Sequence, residues 1–161
     1  MQKAQIAIIG CGNSNRSDDG VGPSVIALLR SYDLPKNVTL FDAGTDGMGV
    51  MYQAKGCSHL IIIDAKLPES SPGAIYEVPG DILASPPPQS LNLHDFRWDH
   101  ALFAGKKIYE SDFPKNVKVF LIEARSIDYG LELSDEVSSS ASEIAKKIEA
   151  LVSPVSCGSW S

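Results

Sequence analysis

Cysteine is scarce in this chain. It occurs only at Cys11, Cys57 and Cys157, far apart and with no Cys-x-x-Cys pair. A disulfide framework is therefore not expected, and a reduced, cytoplasmic protein is the default. No apolar run exceeds the length of a strand, which argues against a membrane-spanning helix. The leading Met1-Gln2-Lys3-Ala4 runs directly into an apolar strand, so no signal peptide is expected. Basic runs are absent and the formal net charge is −6, with a pI near 5.0, so nucleic acid is not an expected partner. There is no Gly-x-Ser-x-Gly elbow and no His-Glu-x-x-His helix, which sets aside the ordinary serine hydrolase and the ordinary zincin.

What remains is ordinary globular material. The 161 residues, 43% hydrophobic and 21% charged, suffice for one domain with its own core. A single domain over residues 1–152 is expected, with residues 153–161 as a disordered tail. Apolar runs of strand length occur at Ala4–Ile9, Val38–Asp42, His59–Asp64 and Val117–Glu123. The third of these is continuously apolar, as a strand covered on both faces should be. Gly73–Val78 alternates and reads as a further, antiparallel strand. Helical patterns follow from about Gly20 to Arg30 or Tyr32, from Met48 to Ala54, and after Ser134. In the last, Val137, Ala141, Ile144, Ile148 and Leu151 form one apolar stripe, with Ser134 as its cap and acids in its first turn. Pro79–Pro88 is too rich in proline for regular helix and reads as a stiff spacer. Leu91–Phe103 reads as a loop entering another helix. The order predicts a three-layer α/β/α sandwich with a mostly parallel sheet of about five strands.

The chain is organised around its first strand and the loop that follows, Gly10-Cys11-Gly12-Asn13-Ser14-Asn15-Arg16-Ser17-Asp18-Asp19-Gly20-Val21-Gly22. Ligands in such folds bind beyond the carboxyl ends of the strands. The loop lacks both the third glycine of a dinucleotide fingerprint and the lysine of a phosphate loop. Two adjacent carboxylates would also repel a phosphate, so a cation or a metal-bearing partner suits them better. Helix capping accounts for one of Asp18 and Asp19, but not for both.

Other polar groups fall at the same edge of the predicted sheet: Asp42, Thr45 and Asp46 after the second strand, Asp64 at the end of the third, then His94, Asp95, Asp99 and His100. Two carboxylates and an imidazole form a donor set for a borderline divalent ion such as Zn²⁺ or Ni²⁺, with positions left for water or substrate. Each also has a plain structural account. Asp42 and Asp64 could close turns, and His94 could anchor its loop. His59 and His100 read as structural or solvent-facing, and Cys11 as a small core residue.

Taken in order, several pieces resemble the hydrogenase maturation endopeptidases, which trim the C-terminus of the large subunit of nickel–iron hydrogenase. They are Gly10-Cys11-Gly12-Asn13 with Asp18-Asp19-Gly20-Val21-Gly22, Asp42-Ala43-Gly44-Thr45 with Gly47, the strand ending Ile63-Asp64-Ala65, Ser90-Leu91-Asn92-Leu93-His94-Asp95, and Leu133-Ser134. The sequence departs from many relatives at Ser14-Asn15, at Asn92-Leu93 and at Arg125. The resemblance implies a phosphorylase/hydrolase-like fold and a metal-binding trio of Asp19, Asp64 and His94. It adds Asp42 as a further candidate catalytic residue, making the activity aspartyl-type rather than serine or cysteine. It implies that the metal is nickel carried by the substrate precursor, with zinc or cadmium as ions able to replace it in crystals. The implied partner is the large-subunit precursor, met by a monomeric enzyme. A non-catalytic metal-checkpoint or chaperone protein that binds the same precursor is the alternative.

Overall fold

The computed structural model describes residues 5–79 and 98–153. The elements run β1 (Ile6–Cys11), a 3-10 turn (Ser17–Gly20), α1 (Val21–Leu29), β2 (Val38–Gly44), α2 (Gly47–Ala54), β3 (His59–Lys66) and β4 (Ile75–Pro79). They continue with α3 (Trp98–Tyr109), a short 3-10 turn (Glu110–Asp112), β5 (Asn116–Glu123) and α4 (Asp135–Leu151). The five strands form one sheet in the order β2-β1-β3-β5-β4. The first four are parallel, and β4 pairs antiparallel with β5 at the edge. Pro79 sits on that edge strand, where a missing amide is tolerated.

The two faces of the sheet follow from the period of a strand. Ile6 and Ile8 of β1, Ile61 and Ile63 of β3, and Phe120 and Ile122 of β5 turn to one side and pack with α1 and α4. Ala7 and Ile9, Leu60 and Ile62, and Val117 and Val119 turn to the other, against α2 and α3. The sheet therefore has helices on both faces, which is why its central strands are apolar throughout. Among the described residues no helix is long and apolar enough to cross a membrane.

The expected elements recur with shifted ends. β1 extends through Gly10 and Cys11, so the first glycine lies within the strand instead of after it. The reason is the approach of α1: a Cβ on Gly10 would lie 2.4 Å from the Gly22 carbonyl oxygen. Gly22 is tighter still, since its Cβ would meet the Cys11 oxygen at 2.3 Å and the Ile63 oxygen at 2.6 Å. Backbone cannot step aside as a flexible side chain can. Gly22→Ala should therefore cost about 3 kcal/mol, read as a lower urea midpoint with an unchanged slope. Ser134 does stand at the N-cap of α4, but its side chain does not cap the helix. The expected proline spacer beyond Pro79, the loop before Trp98 and the tail beyond Ser153 lie outside the described residues.

Candidate functional site

The carboxyl ends of β1, β2 and β3 meet at one cleft of about 340 Å³. β1 contributes Cys11, and the loop and 3-10 turn after it contribute Gly12, Arg16 and Asp19. Gly44 at the end of β2, with Thr45, Asp46 and Gly47, lines a second side. Asp64, Ala65, Lys66 and Leu67 come from the end of β3, and Trp98 and Ile127 complete the wall.

The β1 end is shaped by a register shift between Gly10 and Cys11, where β1 pairs with β2 at Asp42 and then at Gly44. Such irregularities re-aim side chains at the end of a strand. Gly12 follows at φ +130°, and its amide donates to the Gly44 oxygen at 2.8 Å. The polar loop then folds on itself, with the Asn15 amide donating to Asn13 Oδ1 at 2.9 Å.

The adjacent acids Asp18 and Asp19 take opposite roles because they are consecutive residues of a tight turn. Asp19 is half-buried and lines the cleft, and the Asn13 amide donates to its Oδ2 at 2.9 Å. Asp18 is 1% exposed and faces the loop between β5 and α4. Its Oδ2 accepts from the Arg125 amide at 2.8 Å and the Ser134 hydroxyl at 2.8 Å, and its Oδ1 from the Ser134 amide at 2.7 Å. Neither acid caps α1 through its side chain, which corrects the expectation that one of them would. That role was expected because Asp commonly precedes a helix. Here the deeper demand is for an acceptor among buried amides.

Asp64 stands two residues before the end of the most apolar strand, which runs on through Ala65 and Lys66, and is only 3% exposed. The Ala65 amide donates to its Oδ1 at 2.8 Å. The structure thus brings Asp19 and Asp64 to one cleft. Asp42 is exposed and is not among the cleft-lining residues; its Oδ1 accepts from the Gly44 amide at 2.9 Å, a local bond within the last residues of β2. Asp46 caps α2 by accepting from the Gly49 amide at 3.1 Å, while also lining the cleft. Asp99 and His100 bond to each other at the start of α3, away from the cleft lining. His59 begins β3, at the opposite end of the strand from Asp64, with its Nδ1 2.7 Å from the Ser58 hydroxyl. His94 and Asp95 lie outside the described residues. Among the described residues no three His, Cys, Asp or Glu side chains are gathered to hold a metal ion.

Sequence reasoning missed the cations and the apolar wall. Among the described residues Arg16 and Lys66 line the cleft alongside Asp19, Asp46 and Asp64, so in that set carboxylates outnumber cations. Lys66 is partly answered by Glu69 at 2.7 Å, whose hydrogen bond holds the ammonium pKa above its usual value. The remaining balance favours a cation near Asp19 and Asp64. Glu123 was also missed. It is 1% exposed at the end of β5 and accepts from the Ser71 amide at 2.5 Å and the Glu69 amide at 3.3 Å. The signal was present, since Glu123 ends an apolar strand as Asp64 does. Its donors make it the anchor of the segment between β3 and β4.

Comparison with known proteins agrees with this geometry. A family model described as hydrogenase maturation protease matches residues 23–151, a range that includes Asp64 and begins just after Asp19. The chain is 33% identical over 97 residues to a protein of Methanocaldococcus jannaschii named for hydrogenase maturation protease activity. That alignment covers 59% of this chain and 63% of the relative, so the chain spans less than two thirds of that protein's length. With the hydrogenase 2 maturation protease of Escherichia coli it is 29% identical over 140 residues, covering 83% of this chain and 81% of that one. The fold matches the hydrogenase maturating endopeptidase HybD of Escherichia coli with a TM-score of 0.78 at 24% identity, over 91% of each chain. A family match across most of its length, on a sheet that carries two of the expected acids into one cleft, places this chain in the hydrogenase maturation protease family.

Proposed function

We propose that this protein is an endopeptidase that removes a short C-terminal extension from the nickel-loaded large-subunit precursor of a nickel–iron hydrogenase. The observation that carries the reading is the convergence of Asp19 and Asp64 on one cleft at the carboxyl ends of β1 and β3. These are two of the three residues that the family resemblance singles out, and they come from elements far apart in sequence.

In this reading nickel belongs to the substrate. Asp19, Asp64 and His94 complete the coordination shell of an ion that the precursor already holds. Two carboxylates and one imidazole are too few to hold a divalent ion tightly alone, but they suit one held also by a partner's ligands. An empty precursor would then lack the group that the cleft recognises. The metal supplies Lewis acidity at the scissile bond. The chain's own part is to place Asp19 through the Asn13 amide and Asp64 through the Ala65 amide. Asp42 supports the floor of the cleft by holding Gly44, whose oxygen in turn accepts from Gly12. The work is aspartyl-type and is carried out in the cytoplasm by a monomer.

The test is the intact mass of the precursor before and after incubation, with nickel-loaded and nickel-free samples side by side. Loss of a short C-terminal peptide from the nickel-loaded sample alone is the expected result. A stable complex without any loss of mass would assign the protein to metal-checkpoint binding instead of proteolysis.

A further inference from the structure

The segment from Arg125 to Ser134, between β5 and α4, combines a tightly held backbone with large apolar side chains in solvent. Its two ends are fastened to one buried carboxylate: the amides of Arg125 and Ser134 both donate to Asp18, at 2.8 and 2.7 Å. Its middle is stitched to the loop after β1. The Ser17 amide donates to the Gly130 oxygen at 2.8 Å, the Gly130 amide to the Asn15 oxygen at 2.9 Å, and the Ser17 hydroxyl to the Asp128 oxygen at 2.8 Å. Arg16 Nε donates to the Ile127 oxygen at 3.0 Å. A Cβ on Gly130 would lie 2.7 Å from the Ser17 hydroxyl, so a larger residue there would turn that hydroxyl away from Asp128.

On this fixed segment Tyr129 is 87% exposed and Leu131 is 82% exposed. Neither contributes to the core. A loop needing only solubility would carry polar residues at both positions, so large apolar groups held out on a rigid frame point to a partner. The Tyr129 end of the patch adjoins the cleft. Ile127, two residues before Tyr129, lines it, and so does Arg16, whose guanidinium lies 5.4 Å from the centre of the Tyr129 ring.

We propose that Tyr129 and Leu131 form a docking site beside the cleft for an apolar patch on the folded body of the protein whose C-terminal tail is cut. The inference rests on the proteolytic reading above and extends it, because it separates recognition of the folded substrate from recognition of its tail. An aromatic and an aliphatic side chain on an already ordered loop bind with little further loss of freedom. Tyrosine is among the residues that most often dominate such contacts. The nearness of Tyr129 to the cleft selects the substrate's body as occupant over a second copy of this chain.

The experiment uses the full-length protein and the nickel-loaded large-subunit precursor. Initial rates of trimming are followed by intact mass, and direct binding by biolayer interferometry, for wild type, Tyr129→Phe, Leu131→Ser and Tyr129→Ser/Leu131→Ser. The double variant should raise KM and Kd at least ~10-fold with kcat within about twofold, Leu131→Ser should show part of the same rise, and Tyr129→Phe should match wild type. An unchanged KM and Kd in the double variant, with wild type active, overturns the docking site and leaves the protease reading intact. A wild type that binds without cutting, with binding lost in the double variant, overturns the protease reading and keeps the docking site. A wild type that neither binds nor cuts overturns both. Self-association of wild type in sedimentation velocity, abolished in the double variant, assigns the patch to a second copy and also overturns the proposal.

Discussion

Asp64→Asn is expected to lower the rate of precursor trimming at least ~100-fold while leaving the protein folded. The argument rests on burial. Asp64 is 3% exposed, near the end of a strand whose preceding five residues are also buried. Asparagine keeps the shape and keeps an oxygen for the Ala65 amide, which lies 2.8 Å from the native carboxylate. What it loses is the charge, and with it a ligand for the ion carried by the precursor. Lost activity in a protein that stays folded is the signature of a residue kept for a cation. Asp19→Asn and His94→Ala should behave alike in processing. Trimming by Asp64→Asn at the wild-type rate would remove that residue from the proposed chemistry, and a melting temperature well below wild type would make it a structural anchor. Intact mass and differential scanning calorimetry on the same preparations decide between these.

Much of the fold was legible because the sheet is covered on both sides. His59–Asp64 admits few readings other than a central strand, and the observed β3 sits between β1 and β5 with Ile62 opposite both Ile9 and Val119. The edge strand was legible from the β-favouring run Ile75-Tyr76-Glu77-Val78, and both its faces are used: Ile75 packs on the α1 and α4 side and Val78 on the α2 and α3 side, while Tyr76 and Glu77 are exposed. The strand-end acids were legible as a group, since apolar runs that stop at Asp have few uses for it.

The division of labour within the group was not legible. Asp18 and Asp19 are identical in type and adjacent, and only the turn between β1 and α1 decides which of them faces the cleft. Asp42 carries the same strand-end signature as Asp64, yet its carboxylate is exposed and makes a local bond to the amide two residues on. The far wall was invisible for another reason. Ile127 and Trp98 reach the cleft from segments far along the chain from β1, and nothing local in either segment announces that approach. Ser134 shows how a correct position can conceal a different bond. It stands where a cap should, but its hydroxyl is directed to Asp18.

That bond leads to the second large effect. Asp18→Ala should destabilise the protein by about 4 kcal/mol, a fall of roughly 10 °C in melting temperature for a chain of this size. The carboxylate is 1% exposed and accepts from the amides of Arg125, Ser126 and Ser134 and from the Ser134 hydroxyl. Alanine would leave those donors facing a cavity with no acceptor, and buried unpaired donors carry the full cost of their lost hydration. Asparagine separates the charge from the geometry. Oδ2 accepts three of these bonds and Oδ1 the fourth, so an amide placed with its oxygen at the Oδ2 position keeps most of them and turns its NH2 toward the Ser134 amide alone. Asp18→Asn should therefore lose about half as much stability as Asp18→Ala, and Ser134→Ala, which removes one donor and leaves the carboxylate in place, about 1 kcal/mol. Urea denaturation of the three variants gives the order directly. A loss below about 1 kcal/mol for Asp18→Ala would mean that the loop before α4 holds its shape without the carboxylate. In the expected case trimming falls too, but by a different route from Asp64→Asn. The loop that carries Ile127 into the cleft and presents Tyr129 loses its anchor, so KM rises first and cooling restores part of the activity.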